Sequence, residues 1–494
     1  MTTGSRGCLL VLLINIGLPI RLKAIHVILY PAIYLNFVEE FSMPFDPAVL
    51  SPNPAVRESI LTILQAALAA VDPFVAVQNT LQKRGVILSL GKRHYNLDEF
   101  RRLFVLGAGK AGAPMTQAVE SVLGERISGG LVVVKTDHGG PTQRVPIVEA
   151  SHPTPDGAGV AAGREILALA HGAGRNDLVI ALISGGGSAL LVAPAEGLSL
   201  ADLQGLTASL LACGATINEM NCLRKHCSGV KGGQLARAVA PATLITLVLS
   251  DVIGSPLDVI ASGPTVPDSS TWADAWALVE KYELADKLPA PVVARLQAGL
   301  RGEIADTPDA DDPAFAKSQT VVVADNFLAA QAAKRTAEEL GYNALLLTTF
   351  LDGDAANAGR LLAALAKEVQ ASGNPIPAPA CLIFGGETTV QLGDNPGKGG
   401  RNQALALAAG LALQGSRGVT VVSLATDGTD GPTESAGAMA DGGTVARGGL
   451  LGLSAAEHLR DHNAYPYLVA SHDLLRTGPT QTNVNDLMFV FVEK

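Results

Sequence analysis

Aromatic side chains are scarce in this chain, at 4% of residues, although hydrophobic residues of all kinds reach 48%. The core must therefore be built from Ala, Leu, Val and Ile, which suits helices packed on parallel sheets. Long basic stretches are also missing. Lys and Arg total 36 against 46 Asp and Glu, a formal net charge of −10. Such a balance offers no dense positive face for a phosphate backbone, so nucleic acid is not an expected partner. Cys8, Cys213, Cys222, Cys227 and Cys381 are scattered, with no repeated short spacing. They read as the reduced thiols of a cytoplasmic protein and exclude a disulfide framework. No apolar run reaches the ~20 residues that a membrane-spanning helix needs. The nearest, Cys8 to Ile20 and Ala24 to Val38, are split by Arg21 and Lys23 and lack a good signal-peptidase site. Residues 1–42 are therefore expected to be a non-native or non-conserved N-terminal extension, with ordinary composition beginning at Met43.

A chain of 494 residues exceeds one ordinary hydrophobic core, so two α/β domains are expected. Apolar strands without period-2 alternation, separated by helices, indicate parallel sheets covered on both faces. Leu103 to Leu106, Leu131 to Val134, Leu178 to Ile183 and Leu244 to Leu249 are such strands, which assigns residues 43–300 to a Rossmann-like N-terminal domain. Residues 301–318 are acidic, carry two prolines and have no apolar period, the pattern of a linker. A second alternation over 319–494 is expected to form a mainly parallel sheet, starting with Val321 to Val323. The closing strand 486–492 can join either sheet.

Glycine-rich loops follow several of these strands at their C-terminal ends, where open α/β sheets bind ligands. The loop Gly107-Ala108-Gly109-Lys110 can turn tightly at the start of a helix and adds a full positive charge, so an anion fits there. It is a poor dinucleotide fingerprint, which wants an acid near the end of the next strand, because that strand ends in Val134-Lys135-Thr136-Asp137. The second loop, Ser184-Gly185-Gly186-Gly187-Ser188, can form a nest of N–H donors for phosphate oxygens and is not a Walker loop. Arg224 and Lys231 lie in a basic cluster, followed by Asp251 at a strand end. Cations, a nest and an acid able to hold Mg²⁺ are what phosphoryl transfer requires. Cys222, His226 and Cys227 sit on one helix without a second ligand pair, which favours packing over metal binding. In the second half, Gly385-Gly386-Glu387 ends a strand, while Arg401-Asn402 opens a helix whose arginine can grip a carboxylate or phosphate. Asp427 and Asp430 lie on a loop that either holds Mg²⁺ or a substrate hydroxyl or is an ordinary turn.

These motifs, together with His152-Pro153-Thr154-Pro155 and Thr482 to Asp486, resemble the class II glycerate kinases. This is the glycerate 2-kinase family whose C-terminal portion is the MOFRL domain. The resemblance runs from about Pro54 to the C-terminus. It implies transfer of the ATP γ-phosphoryl to the 2-hydroxyl of D-glycerate with Mg²⁺, in a cleft between the two domains. It places the family's catalytic lysine on Lys110 and its catalytic arginine on Arg401. Gly107, Gly109, the loop Ser184 to Ser188, Arg224, Lys231, Gly385, Gly386, Glu387 and Asn402 then become nucleotide- or substrate-binding candidates. Asp251 and Asp427 become candidates for the metal, with Glu387 beside them. Ser255 departs from the acid that many members carry there. The expected partners are small molecules, with a homodimer admitted and no membrane. Two rivals stay open: a hydroxypyruvate reductase using a nicotinamide cofactor, and a non-catalytic regulator that binds a sugar acid.

Overall fold

The chain enters its first element through Pro54–Ala70, a helix whose Ile60, Ile63, Leu64 and Ala67 form one fully buried stripe. The structure is a computed structural model that describes residues 54–393 and 395–494, so the expected extension over 1–42 lies outside the described residues. After the helix Pro73–Thr80 come three short strands, β1 (Leu81–Arg84), β2 (Ile87–Leu90) and β3 (Arg93–Asn96), paired antiparallel.

Six strands then build the first large sheet: β4 (Arg102–Ala108), β5 (Gly129–Lys135), β6 (Ile147–Ala150), β7 (Asp177–Ile183), β8 (Thr243–Leu249) and β9 (Ser318–Ala324). They lie in the order β6-β5-β4-β7-β8-β9, every neighbour parallel. The chain builds outward in one direction from β4 and then in the other from β7. Such a reversal opens a crevice beyond the strand ends, here between the loops after β4 and β7. β9 corrects the reading of Val321 to Val323 as the start of the second alternation, since it pairs with β8 as the edge of the first sheet. Residues 301–318 are correspondingly tied to the first sheet, with Arg237 holding Asp312 at 2.8 Å.

The helix Asn326–Glu339 carries the chain to the second sheet, made of β10 (Asn343–Leu351), β11 (Ala380–Gly386), β12 (Val419–Ala425), β13 (Gly437–Asp441), β14 (Leu474–Leu475) and β15 (Asp486–Val492). Its order is β10-β11-β15-β12-β13-β14, and only β10 and β11 pair in parallel. The sheet is thus mixed and not mainly parallel, because β15 inserts antiparallel between β11 and β12 and β13 folds back on β12. β15 is buried along its whole length, which explains its unbroken apolar run after Asp486.

One buried cluster joins the two sheets. Val105, Ile180 and Leu247 of the first and Ile383, Val422 and Phe489 of the second share it with Ala329 and Ala333 of the crossing helix. Helix Pro54–Ala70 packs on that crossing helix, and Thr482 Oγ1 donates to Val71 O at 2.7 Å. No single helix among the described residues is long and apolar enough to cross a membrane.

Candidate active site

The loops after β4 and β7 interlock. Lys110 N donates to Gly185 O at 2.8 Å, Ser184 N to Ala108 O at 3.1 Å, and Ala111 N to Ser184 Oγ at 3.1 Å. The Ser184 side chain is therefore a brace between the loops. Gly109 has φ 142°, and a Cβ there would strike Ser184. Gly186 has φ 82°, with His152 and the Lys110 stem close enough that a Cβ would touch both. The amides of Gly185, Gly186 and Ser188 donate to no group among the described residues. Three open donors above a helical turn form an anion nest.

Around it the charge is mostly positive. The Lys110 ammonium has no partner among the described residues. Burial pushes the His152 imidazole down to about 4, helped by the charges of Lys110, Lys135 and His138. Asp251 lies against Gly185. Burial lifts its carboxyl to about 6, Lys110 pulls it back down, and Glu387 across the cleft raises it further. The loops after β4, β7 and β8 and the end of β11 thus meet in one place.

A cavity of about 310 Å³ opens from this point, lined by His152, Gly186, Ser188, Asn221, Arg224, Lys231 and Asp251 and by apolar residues of Leu200–Ala212 and Ile217–His226. Lys231 is 7% exposed and donates to Ser188 O at 2.8 Å and Leu191 O at 2.9 Å. Burial, with Arg224 nearby, pushes its ammonium down to about 7. Of the basic cluster, Lys225 turns away to Asp268 at 3.0 Å, while His226 stacks edge-on to Trp272. Cys222 and Cys227 join the same apolar core as Trp272, and burial pushes their thiols up to about 11 and about 12. Among the described residues, no three His, Cys, Asp or Glu side chains gather to hold a metal.

The second sheet contributes Arg401 and Glu387. Arg401 is gripped by Asp486 through Nε at 2.6 Å and Nη2 at 3.0 Å, and its Nη1 meets Glu387 Oε1 at 2.9 Å. Asn485 Nδ2 donates to the other Glu387 oxygen at 2.8 Å. Burial raises the Asp486 carboxyl and Arg401 opposes the rise. Asp486 had no role in the sequence reading. Its signal was a lone acid opening an otherwise apolar strand.

Other expected residues are placed in packing positions. Asn402 is fully buried, with Ser423 donating to Oδ1 at 2.6 Å and Nδ2 held by Asp430 at 3.3 Å. Asp430 also accepts the amides of Asn402 and Gln403 at 3.1 and 2.8 Å, so the donors at that helix start are used internally. Gly385 abuts Asn326, Gly386 the backbone of Leu351, Gly107 the backbone of Leu182, and Gly187 faces Ala261. Asp427 accepts from the amide and hydroxyl of Thr429 at 3.0 and 3.2 Å, an Asx turn.

Two family models match: a domain of unknown function, DUF4147, over residues 59–297, and the MOFRL family over residues 380–486. A D-glycerate 2-kinase of Thermotoga maritima is 42% identical over 445 residues, 90% of this chain and 99% of that protein. An Agrobacterium vitis protein whose name proposes a hydroxypyruvate reductase is 40% identical over 89% of this chain and 95% of its own length. The crystal structure of a glycerate kinase from Thermotoga maritima superposes with a TM-score of 0.80 at 39% identity, covering 89% of this chain and all of that one. With identity of this extent along nearly the whole of its relatives, and both halves matched in order, the chain belongs to the glycerate 2-kinase family that ends in a MOFRL domain.

Proposed function

We propose that this protein transfers the γ-phosphoryl of ATP to the 2-hydroxyl of D-glycerate, giving 2-phospho-D-glycerate. The observation that carries the reading is the meeting of an unpartnered Lys110, an open amide nest and Asp251 in one crevice. Phosphoryl transfer asks a protein for position and charge more than for covalent chemistry, and these groups supply both. The amides of Gly185, Gly186 and Ser188 hold phosphate oxygens. Lys110 faces the charge that develops on the transferring group. Arg401, fixed by Asp486, presents its remaining N–H groups from the other side.

Mg²⁺ fits the donors present. It keeps several waters and takes one or two carboxylates plus substrate phosphates in place of an all-protein cage. Asp251, the one carboxylate among the described residues that line the cavity, is the residue that would hold it. The ion would neutralise phosphate charge. The Asx turn of Asp427 makes that residue the weaker candidate.

A reductase would need an acid at the end of β5 to hold the ribose of a nicotinamide cofactor, and β5 ends in Lys135, with Asp137 only in the turn beyond. The deciding assay supplies D-glycerate, ATP and Mg²⁺ and passes the product to enolase, pyruvate kinase and lactate dehydrogenase. Signal without phosphoglycerate mutase is expected. Signal only with mutase would make the enzyme a 3-kinase, and oxidation of a reduced nicotinamide by hydroxypyruvate without ATP would restore the reductase.

A further inference from the structure

The cavity beside the catalytic crevice is lined by groups of two kinds, charged or polar and apolar. Nearest Lys110 it is lined by His152, Gly186 and Asp251. Arg224 and Lys231 also line it, and Leu203, Leu206 and Ile217 from two helices add apolar surface. Arg224 has no hydrogen-bond or ion-pair partner among the described residues, although it is only partly exposed and burial weakens its hold on its proton. Asn221 is 3% exposed, accepts from Ser262 at 3.0 Å through Oδ1, and leaves Nδ2 unpartnered. A desolvated guanidinium and a buried amide without acceptors point to an anionic ligand.

We infer that this cavity is the nucleotide subsite: Arg224, Lys231 and Asn221 hold the inner phosphates of ATP, Leu203, Leu206 and Ile217 form the wall for its base, and glycerate enters from the opposite, Arg401 side. The inference rests on the kinase reading and sharpens it. The unpartnered Arg224 guanidinium and the remaining N–H of Lys231 offer more donors than one carboxylate requires, whereas a polyphosphate uses them. A three-carbon polyol has no use for an apolar wall, and a purine does. Arg401 has spent two nitrogens on Asp486 and one bond on Glu387, yet two N–H groups remain for a small carboxylate.

Direct binding of ADP and of pyrophosphate to the full-length chain tests this, using wild type, Arg224→Gln and Ile217→Asn. Ile217 is 54% exposed in the first turn of a helix that Thr216 and Glu219 cap, so a polar residue there leaves the helix start in place. Wild type should bind ADP at least about tenfold more tightly than pyrophosphate. Arg224→Gln should weaken both ligands by about tenfold to a hundredfold. Ile217→Asn should weaken ADP alone, by about fivefold. The KM for glycerate should stay within about twofold in both variants. A raised KM for glycerate with unchanged ADP binding in Arg224→Gln would overturn the assignment and give the cavity to the sugar acid. Equal affinity for ADP and pyrophosphate in wild type would remove the base wall. If wild type binds ADP as expected but leaves glycerate unchanged, the proposed reaction fails while the nucleotide subsite stands.

Discussion

At the scale of single residues, Lys110 and Arg401 carry the same charge in different settings, and the difference is measurable. Lys110 has no partner to strand, so Lys110→Ala should leave stability unchanged and lower turnover about 10²- to 10³-fold, the usual loss for one electrostatic stabiliser. Arg401 neutralises the fully buried Asp486. Arg401→Met should therefore lose turnover and also about 3–5 kcal/mol of stability, because it leaves a buried charge alone. Adding Asp486→Asn to Arg401→Met should restore most of that stability and none of the turnover, as read by chemical denaturation and the coupled assay. An Arg401→Met protein as stable as wild type would mean that Asp486 is buried neutral. His152 gives a pH-dependent case. Its imidazole titrates at about 4 in the fold against 6.5 ordinarily, so both states are neutral above 6.5. As pH falls from 6.5 to about 4, the unfolded chain takes up a proton that the fold resists, and stability is lost over that window. Because the ring is half-buried, solvent screening reduces the effect to about 1 kcal/mol. Denaturation midpoints should fall less over this window in His152→Gln than in wild type, and NMR titration should show the imidazole pKa rising when an anion fills the nest.

At the scale of elements, strand and loop must fit before a side chain can act. Gly107 sits opposite Leu182 where β4 pairs with β7, and a Cβ there would lie 2.5 Å from the Leu182 carbonyl oxygen. Neither backbone can yield without parting the two strands that aim Lys110 and the Ser184 loop. Gly107→Ala should cost about 1–3 kcal/mol of stability and lower turnover without changing any functional group, and a variant with normal melting and kinetics would refute this. Such strands were legible in the sequence because both faces of β4, β5, β7 and β8 are buried and leave unbroken apolar runs. The glycine loops were legible because their composition is unsuited to either regular structure. What escaped depended on pairing between distant segments. β1 to β3 are short and largely polar, held by turns at Gly85 and Gly91. β9 and β15 read correctly as strands, yet nothing local tells which sheet they join. Asn402 and Asp430 looked like site residues because polar groups beside glycine suggest ligands. What they do in the fold, closing a helix start with a carboxylate, needed the third dimension. Arg401 stood out in its own loop, while the partner that fixes it, 85 residues away, did not.

At the scale of the whole molecule, the two sheets do not part at the acidic stretch 301–318, since β9 beyond it still pairs with β8. The crossing from one sheet to the other occurs after β9, at Asp325 and Asn326, where Asn326 Nδ2 reaches the carbonyls of Val484 and Asp486 at 2.8 and 2.9 Å. Helix Pro54–Ala70 covers the crossing helix Asn326–Glu339, so the first described segment completes the second half of the chain. Residues of both sheets share a single buried cluster around these helices. Separating the halves would expose that cluster to water, and each exposed apolar side chain costs about 1.5–3 kcal/mol. Neither half can then lose its structure while the other keeps its own. Thermal unfolding followed by circular dichroism and by calorimetry should accordingly give one transition with equal van't Hoff and calorimetric enthalpies. A fragment starting at Asp325 should be insoluble or unfolded, because the helix that covers its core is missing. Joining residues 54–72 to that fragment through a flexible linker should recover helical structure. Two resolved transitions, or a fragment from Asp325 that folds without the helix, would show instead that the sheets are independent domains and that the shared cluster is only a contact between them. The same core limits how the site can close, since the sheets cannot swing apart as free bodies. Closure on substrate must then come from the loops that face each other across the crevice, those carrying Lys110, Asp251 and Glu387.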